Sequence, residues 1–134
     1  GTGSTPRIKI RIKLLARSSG PTDKTYRYNV KFERRPEAAP FEEPVAVSGL
    51  IKGELKAAID RRDFDFTWAL YEAMPDGRYF NLSYYLGRAS YAADRTTRSL
   101  LTPGKFASLP FSRTPLTARQ LSKGSRLLLL VSVK

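Results

Sequence analysis

Between Phe64 and Tyr71 the apolar side chains Phe64, Phe66, Trp68 and Leu70 fall on every second residue, with Asp65, Thr67, Ala69 and Tyr71 between them. A strand sends successive side chains to opposite faces, so this spacing predicts a half-buried β-strand. Trp68, set among Phe64, Phe66 and Leu70, reads as core rather than as a sugar-stacking platform. Pro75-Asp76-Gly77 then combines a preset φ, a side-chain acceptor and a residue free to take φ > 0, which predicts a tight turn. Extended patterning resumes towards Tyr91, so the stretch reads as two strands around which the remaining segments stack.

The rest of the chain repeats the theme. Arg7–Leu15 alternates strictly, with Ile8, Ile10, Ile12 and Leu14 against Arg7, Lys9, Arg11 and Lys13. That is a strand with one wet face, whose cations discourage edge pairing. Ser18-Ser19-Gly20-Pro21 is a loop. Tyr26–Glu33 places Tyr26, Tyr28, Val30 and Phe32 on one face; a buried face is preferred to a stacking surface for single-stranded nucleic acid. Arg34–Pro44, with three prolines and no periodicity, reads as an irregular connector. Val45–Ile59 is extended, with Ile51, Leu55, Ala57 and Ile59 opposite Lys52, Glu54 and Lys56. GELKAAIDRR has the propensity for about two helical turns, but such a helix would start at Gly53 without a good cap. Asp60–Asp63 is a charged bend and Ala92–Ser99 a polar, basic loop. Thr102-Pro103-Gly104 makes a turn, Phe106–Phe111 a short strand, and Leu121–Ser125 another turn. Arg126–Val133, apolar on both faces at its centre, reads as a central strand or one covered on both sides. About eight extended segments without a helix predict an all-β sandwich or barrel.

Composition narrows the function. A chain of 134 residues with 41% hydrophobic and 27% charged content is expected to be one globular domain. Its longest apolar run, Leu127–Val131, falls far short of the ~20 residues that span a bilayer. A soluble protein is expected, cytoplasmic or periplasmic. GTGSTP at residues 1–6 reads as an artificial or internal start, and the finish at Lys134, inside a strand, suggests truncation. The sequence contains neither Cys nor His, which removes disulfides, thiolate chemistry and the imidazole base of Ser-His-Asp or Cys-His systems. Acidic residues are too few and scattered for a metal cage, and no cofactor is called for. Twenty-four Lys and Arg against 12 Asp and Glu give +12, which favours an anionic partner. Solvated cationic faces are commoner than nucleic-acid sites, so nucleic acid is the lesser expectation.

From Val45 onward the residues carry a resemblance. EEPVAVSG, an extended strand, DFDF-T-x-A-L-x-x-x-x-PDGR, NL, L-x-R-A-x-Y, LTPG and LSKGSRL occur in that order. Each motif alone is weak, but the joint order resembles the C-terminal non-catalytic domain of the X-Pro dipeptidyl-peptidase and cocaine esterase family of serine hydrolases. The resemblance covers Phe41–Val133, while Gly1–Ala39 matches no recognised pattern. It implies a galactose-binding-like jelly-roll β-sandwich. It also implies an N-terminal α/β-hydrolase domain in the parent enzyme that carries the catalytic Ser, Asp and His. The chain alone is then no enzyme and has no catalytic residue.

Two sets of residues remain candidates. Asp65 and Arg88 lie at matching phase and are expected to pair as carboxylate and guanidinium, tying two segments at one end of the sandwich. Tyr79, Tyr84, Tyr85 and Tyr91 are candidates for a ligand site or for contact with the hydrolase domain. The function expected is an accessory domain that buttresses the hydrolase and shapes substrate access, with oligomer contacts left open. A carbohydrate-binding module and an anion- or nucleic-acid-binding domain are the alternatives.

Overall fold

The computed structural model describes residues 7–18, 25–32 and 37–134. Of these, the side chains of 7–18, 25–32, Lys52 and Arg113 are left aside. The alternating faces of the first two strands, the 1–6 start, the loop through Ser19-Gly20-Pro21 and the beginning of the Arg34–Pro44 connector therefore lie outside what is described.

The elements are β1 (Arg7–Ser18), β2 (Thr25–Phe32), β3 (Val45–Ala58), β4 (Asp65–Ala73), β5 (Tyr79–Arg88), β6 (Ala107–Leu121) and β7 (Arg126–Val133), with a 3-10 turn at Ala89–Tyr91. They form two antiparallel sheets, ordered β2-β1-β3-β6 and β5-β4-β7. One core lies between them, joining Val45, Ile51 and Leu55 of β3 to Phe66, Trp68 and Leu70 of β4. The molecule is an all-β sandwich.

β4 is central to its sheet, and its burial alternates residue by residue as the period-two pattern requires. Trp68 stacks on Tyr85 of β5 at 6.0 Å and meets Phe111 of β6 at 5.0 Å, so one side chain joins both sheets. Gly87 sits opposite Phe66. A Cβ there would lie 2.7 Å from the Tyr85 ring and 2.8 Å from the Phe66 ring, so the two aromatics pack where only glycine leaves room. The β4–β5 turn closes with Met74 donating to the Arg78 carbonyl at 2.8 Å and Gly77 at φ 90°.

Two expectations are met and two change. The extended reading of Val45–Ile59 holds against a helix in GELKAAIDRR, because β3 runs through Ala58 paired to β1 on one side and β6 on the other, satisfying its backbone. The strand expected over Phe106–Phe111 extends to Leu121, passing through Pro110 and Pro115. β6 is the outer strand of its sheet, where a proline's missing N–H costs no ladder bond. β7 is also outer rather than central, and it meets the other reading, of a strand covered on both sides, because Leu127, Leu128 and Leu129 are all buried. Its free side is covered by a bridge from Glu37 to Leu128, with Ala38 N–H donating to the Leu127 carbonyl at 2.9 Å. β5 stops at Arg88, since Asp63 captures both the N–H and the hydroxyl of Ser90 and bends the chain.

Candidate functional site

The β4–β5 pairing sets Asp65 directly across from Arg88. Arg88 Nε donates to Asp65 Oδ1 at 2.9 Å and Nη2 reaches Oδ2 at 3.5 Å, and both side chains are about half exposed. Exposure and salt screening keep such pairs weak, so the geometry is better than its contribution to stability. A double-mutant cycle on Asp65→Asn and Arg88→Lys is expected to show a small coupling that shrinks as salt rises; zero coupling at low salt would mean the two side chains act independently.

The four tyrosines are not brought together. Tyr79 opens β5 and Tyr91 lies beyond its end, so roughly 30 Å of strand separates them. Tyr85 points inward onto Trp68, whereas Tyr84 points outward and is 74% exposed. Tyr84 belongs instead to a shallow trough of about 420 Å³ on the outer face of the β5-β4-β7 sheet. Thr67 and Ala69 of β4 form its floor, Tyr84 and Leu86 one wall, and Leu130 and Ser132 the other. A second groove of about 480 Å³ lies between β5 and β6 and is lined by Asn81, Tyr85, Arg95, Ser112 and Thr114 among others. Ser83 bridges it by donating to the Pro115 carbonyl at 2.7 Å.

Two carboxylates to which the sequence reading gave no partners, Glu72 and Asp63, hold the sandwich in register. Glu72, the next inward position after Leu70, is completely buried. It accepts from Arg119 Nε at 2.7 Å, Ser122 N–H at 2.9 Å and Ser125 Oγ at 2.6 Å, and so ties β4 to β6 and to the β6–β7 turn. The Arg119 guanidinium also lies 3.9 Å over the Phe80 ring. Burial pushes the Glu72 carboxyl up, but the bonds from Ser125, Arg119 and Ser122 outweigh it and hold the group below its ordinary value. Asp63 does the same for the bend after β5, accepting from Phe64 N–H, Ser90 N–H and Ser90 Oγ at 2.7–2.9 Å. Burial is its largest single influence, again exceeded by the Ser90, Phe64 and Arg98 donors, which leave the carboxyl lowered. The signal for Glu72 was present in the alternation: a carboxylate in an inward phase must find donors.

Among the described residues no set of three or more His, Cys, Asp or Glu is placed to hold a metal, and no helix is long and apolar enough to cross a membrane. The arrangement is a scaffold with a polar lock at its core and an apolar outer sheet. Residues 20–134 match the family described as the X-Pro dipeptidyl-peptidase C-terminal non-catalytic domain. The chain belongs to that family. The match begins ahead of Phe41, where the motif resemblance starts, and takes in β2. The domain is non-catalytic.

Solved structures agree on the fold. One is an aminopeptidase from the marine sediment archaeon Thaumarchaeota archaeon, with a TM-score of 0.64 and 21% identity over 73% of this chain and 17% of that one. Another is an α-amino acid ester hydrolase, with a TM-score of 0.65 and 20% identity over 73% of this chain and 17% of that one. The domain therefore spans a small part of the length of these relatives. No curated protein sequence matches it.

Proposed function

We propose that the domain is the accessory β-sandwich of a serine hydrolase of the X-Pro dipeptidyl-peptidase or acyl esterase type, supporting its α/β-hydrolase domain and shaping access to the substrate. The observation that carries this reading is the family match across residues 20–134. The names of the similar structures, an aminopeptidase and an α-amino acid ester hydrolase, both point to acyl groups bearing an α-amino group. The enzyme served here is read as acting on that class, as an X-Pro dipeptidyl-peptidase would.

The physical contribution of the domain is rigidity. Trp68 and Glu72 each contact both sheets, one through packing and the other through charge-assisted hydrogen bonds. A body of this kind holds a neighbouring wall at a constant distance from an active site, which positioning requires to well within 1 Å.

The test compares the isolated domain with the full-length product of its parent gene on an X-Pro p-nitroanilide and an α-aminoacyl p-nitrophenyl ester. Hydrolysis by the full-length protein and none above background by the domain is expected. Turnover by the isolated domain, or a full-length protein inert on both substrates, would overturn the proposal.

A further inference from the structure

The outer face of an antiparallel sheet that meets water normally carries polar residues at alternate positions. Along β4 the outward positions are Asp65, Thr67, Ala69, Tyr71 and Ala73, polar at one end only. Their cross-strand neighbours add Tyr84 and Leu86 from β5, and Leu128 and Leu130 from β7. Leu86 is 69% exposed and Leu130 51% exposed. Ala69 lies directly between Tyr84 and Leu130. Small side chains on the central strand and large ones on both neighbours produce the trough. It is two strand spacings wide, roughly 10 Å, which matches the diameter of an α-helix.

Charge marks the ends of this trough. At one end Asp65 is flanked by Arg88 and by Lys134, whose backbone exchanges hydrogen bonds with Asp65 at 3.1 and 2.8 Å. At the other end Arg126 lies opposite Ala73. On this face Arg88 already engages Asp65, and exposed Glu37, bridged to Leu128, sets a carboxylate beside the Arg126 end, so Lys134 is the end with cationic excess. Arg126 and Lys134 are both exposed. Two copies of this +12 chain repel one another overall, so the face suits a different surface.

We infer that this face seats the hydrolase portion of the same protein, through an amphipathic segment that is apolar in the middle and acidic where it meets Lys134. The inference rests on the proposed function and assigns the surface that performs it. Asp65 to Ala73 rises roughly 27 Å along the strand, so a helix lying along β4 would run about five turns with its acidic end at Lys134. Tyr84 is the aromatic anchor of the contact, and Thr67 and Ala69 let the helix backbone approach closely.

The experiment places Leu130→Glu and Leu86→Glu separately in the full-length product and in the isolated domain, with Leu50→Glu on the other sheet as control; Leu50 is 61% exposed. In the isolated domain all three are expected to leave the melting temperature within about 2 °C, since each side chain already meets solvent. In the full-length protein Leu130→Glu and Leu86→Glu are expected to split thermal unfolding into two transitions. They should also speed proteolytic release of the domain at least ten-fold, while Leu50→Glu behaves as wild type. A single unchanged transition and unchanged proteolysis for both face variants would overturn the assignment, even in a full-length protein that hydrolyses the test substrates. An isolated domain that dimerises in solution and is made monomeric by Leu130→Glu would also overturn it, in favour of a second copy. A full-length product lacking hydrolase activity counts against the proposed function, and the unfolding and proteolysis data then still report whether the face is covered.

Discussion

Glu72→Ala is expected to destabilise the domain by about 3 kcal/mol, the lower end of the cost of removing one partner from a buried ion pair. The carboxylate is wholly buried, and its loss orphans three donors at once: Arg119 Nε, Ser122 N–H and Ser125 Oγ. Ser125 is also completely buried and has no water to turn to. The lower end applies because the Arg119 side chain keeps 29% exposure and its place over the Phe80 ring. Glu72→Gln retains volume and one acceptor oxygen, so it should cost less than the alanine. Urea unfolding at pH 7 measures both; an alanine variant within about 1 kcal/mol of wild type would show that the network does not hold the sheets together.

The same carboxylate sets a pH dependence. Its folded-state pKa lies below the ordinary glutamate value of about 4.3, so the unfolded chain binds the proton more readily. Stability from this group is therefore present above the ordinary value and is lost as pH falls through the lowered folded value. Asp63, also lowered, adds loss in the same direction. Wild type should weaken progressively below about pH 4.5, and Glu72→Gln should show a shallower decline because the titrating group is gone. Equal slopes for the two proteins would remove Glu72 from this account.

The second large effect is expected at Trp68. Trp68→Ala should cost about 4 kcal/mol, within the range for truncating a buried large aromatic. The ring is 1% exposed and stands between Tyr85 and Phe111, so the void it leaves lies between two sheets that cannot both close on it. Trp68→Phe should be far milder, about 1 kcal/mol, because a ring of similar character remains. Among the described residues the buried indole N–H has no hydrogen-bond partner, so its removal sacrifices no bond there. Chemical denaturation of the three proteins decides this; similar losses for Phe and Ala would mean that the indole itself is required.

Particular residues show where sequence reading succeeds. Phe64, Phe66, Trp68 and Leu70 announced their strand and its buried face, because period two is a local property of extended backbone. Pro75-Asp76-Gly77 announced its turn for the same reason, with Gly77 at φ 90°. The motif order from EEPVAVSG to LSKGSRL pointed to the family that the match over residues 20–134 establishes. The strand expected over Phe106–Phe111 is too short, since whether Pro115 can sit in a strand depends on which strand ends a sheet.

Local pattern was enough for most of the strands, the inward phase of the core, the family resemblance, and the want of an imidazole or thiol. Only the tertiary structure decided which strands neighbour one another, that Tyr85 faces in while Tyr84 faces out, and that Ala69 lies between Tyr84 and Leu130. It alone supplied partners for Glu72, whose three donors lie 47 to 53 residues further along the chain. The division has one physical reason. Strand periodicity and turn chemistry are written into adjacent residues, whereas sheet order, inter-sheet hydrogen bonds and the shape of a face arise from segments far apart in the chain that meet only when the core closes.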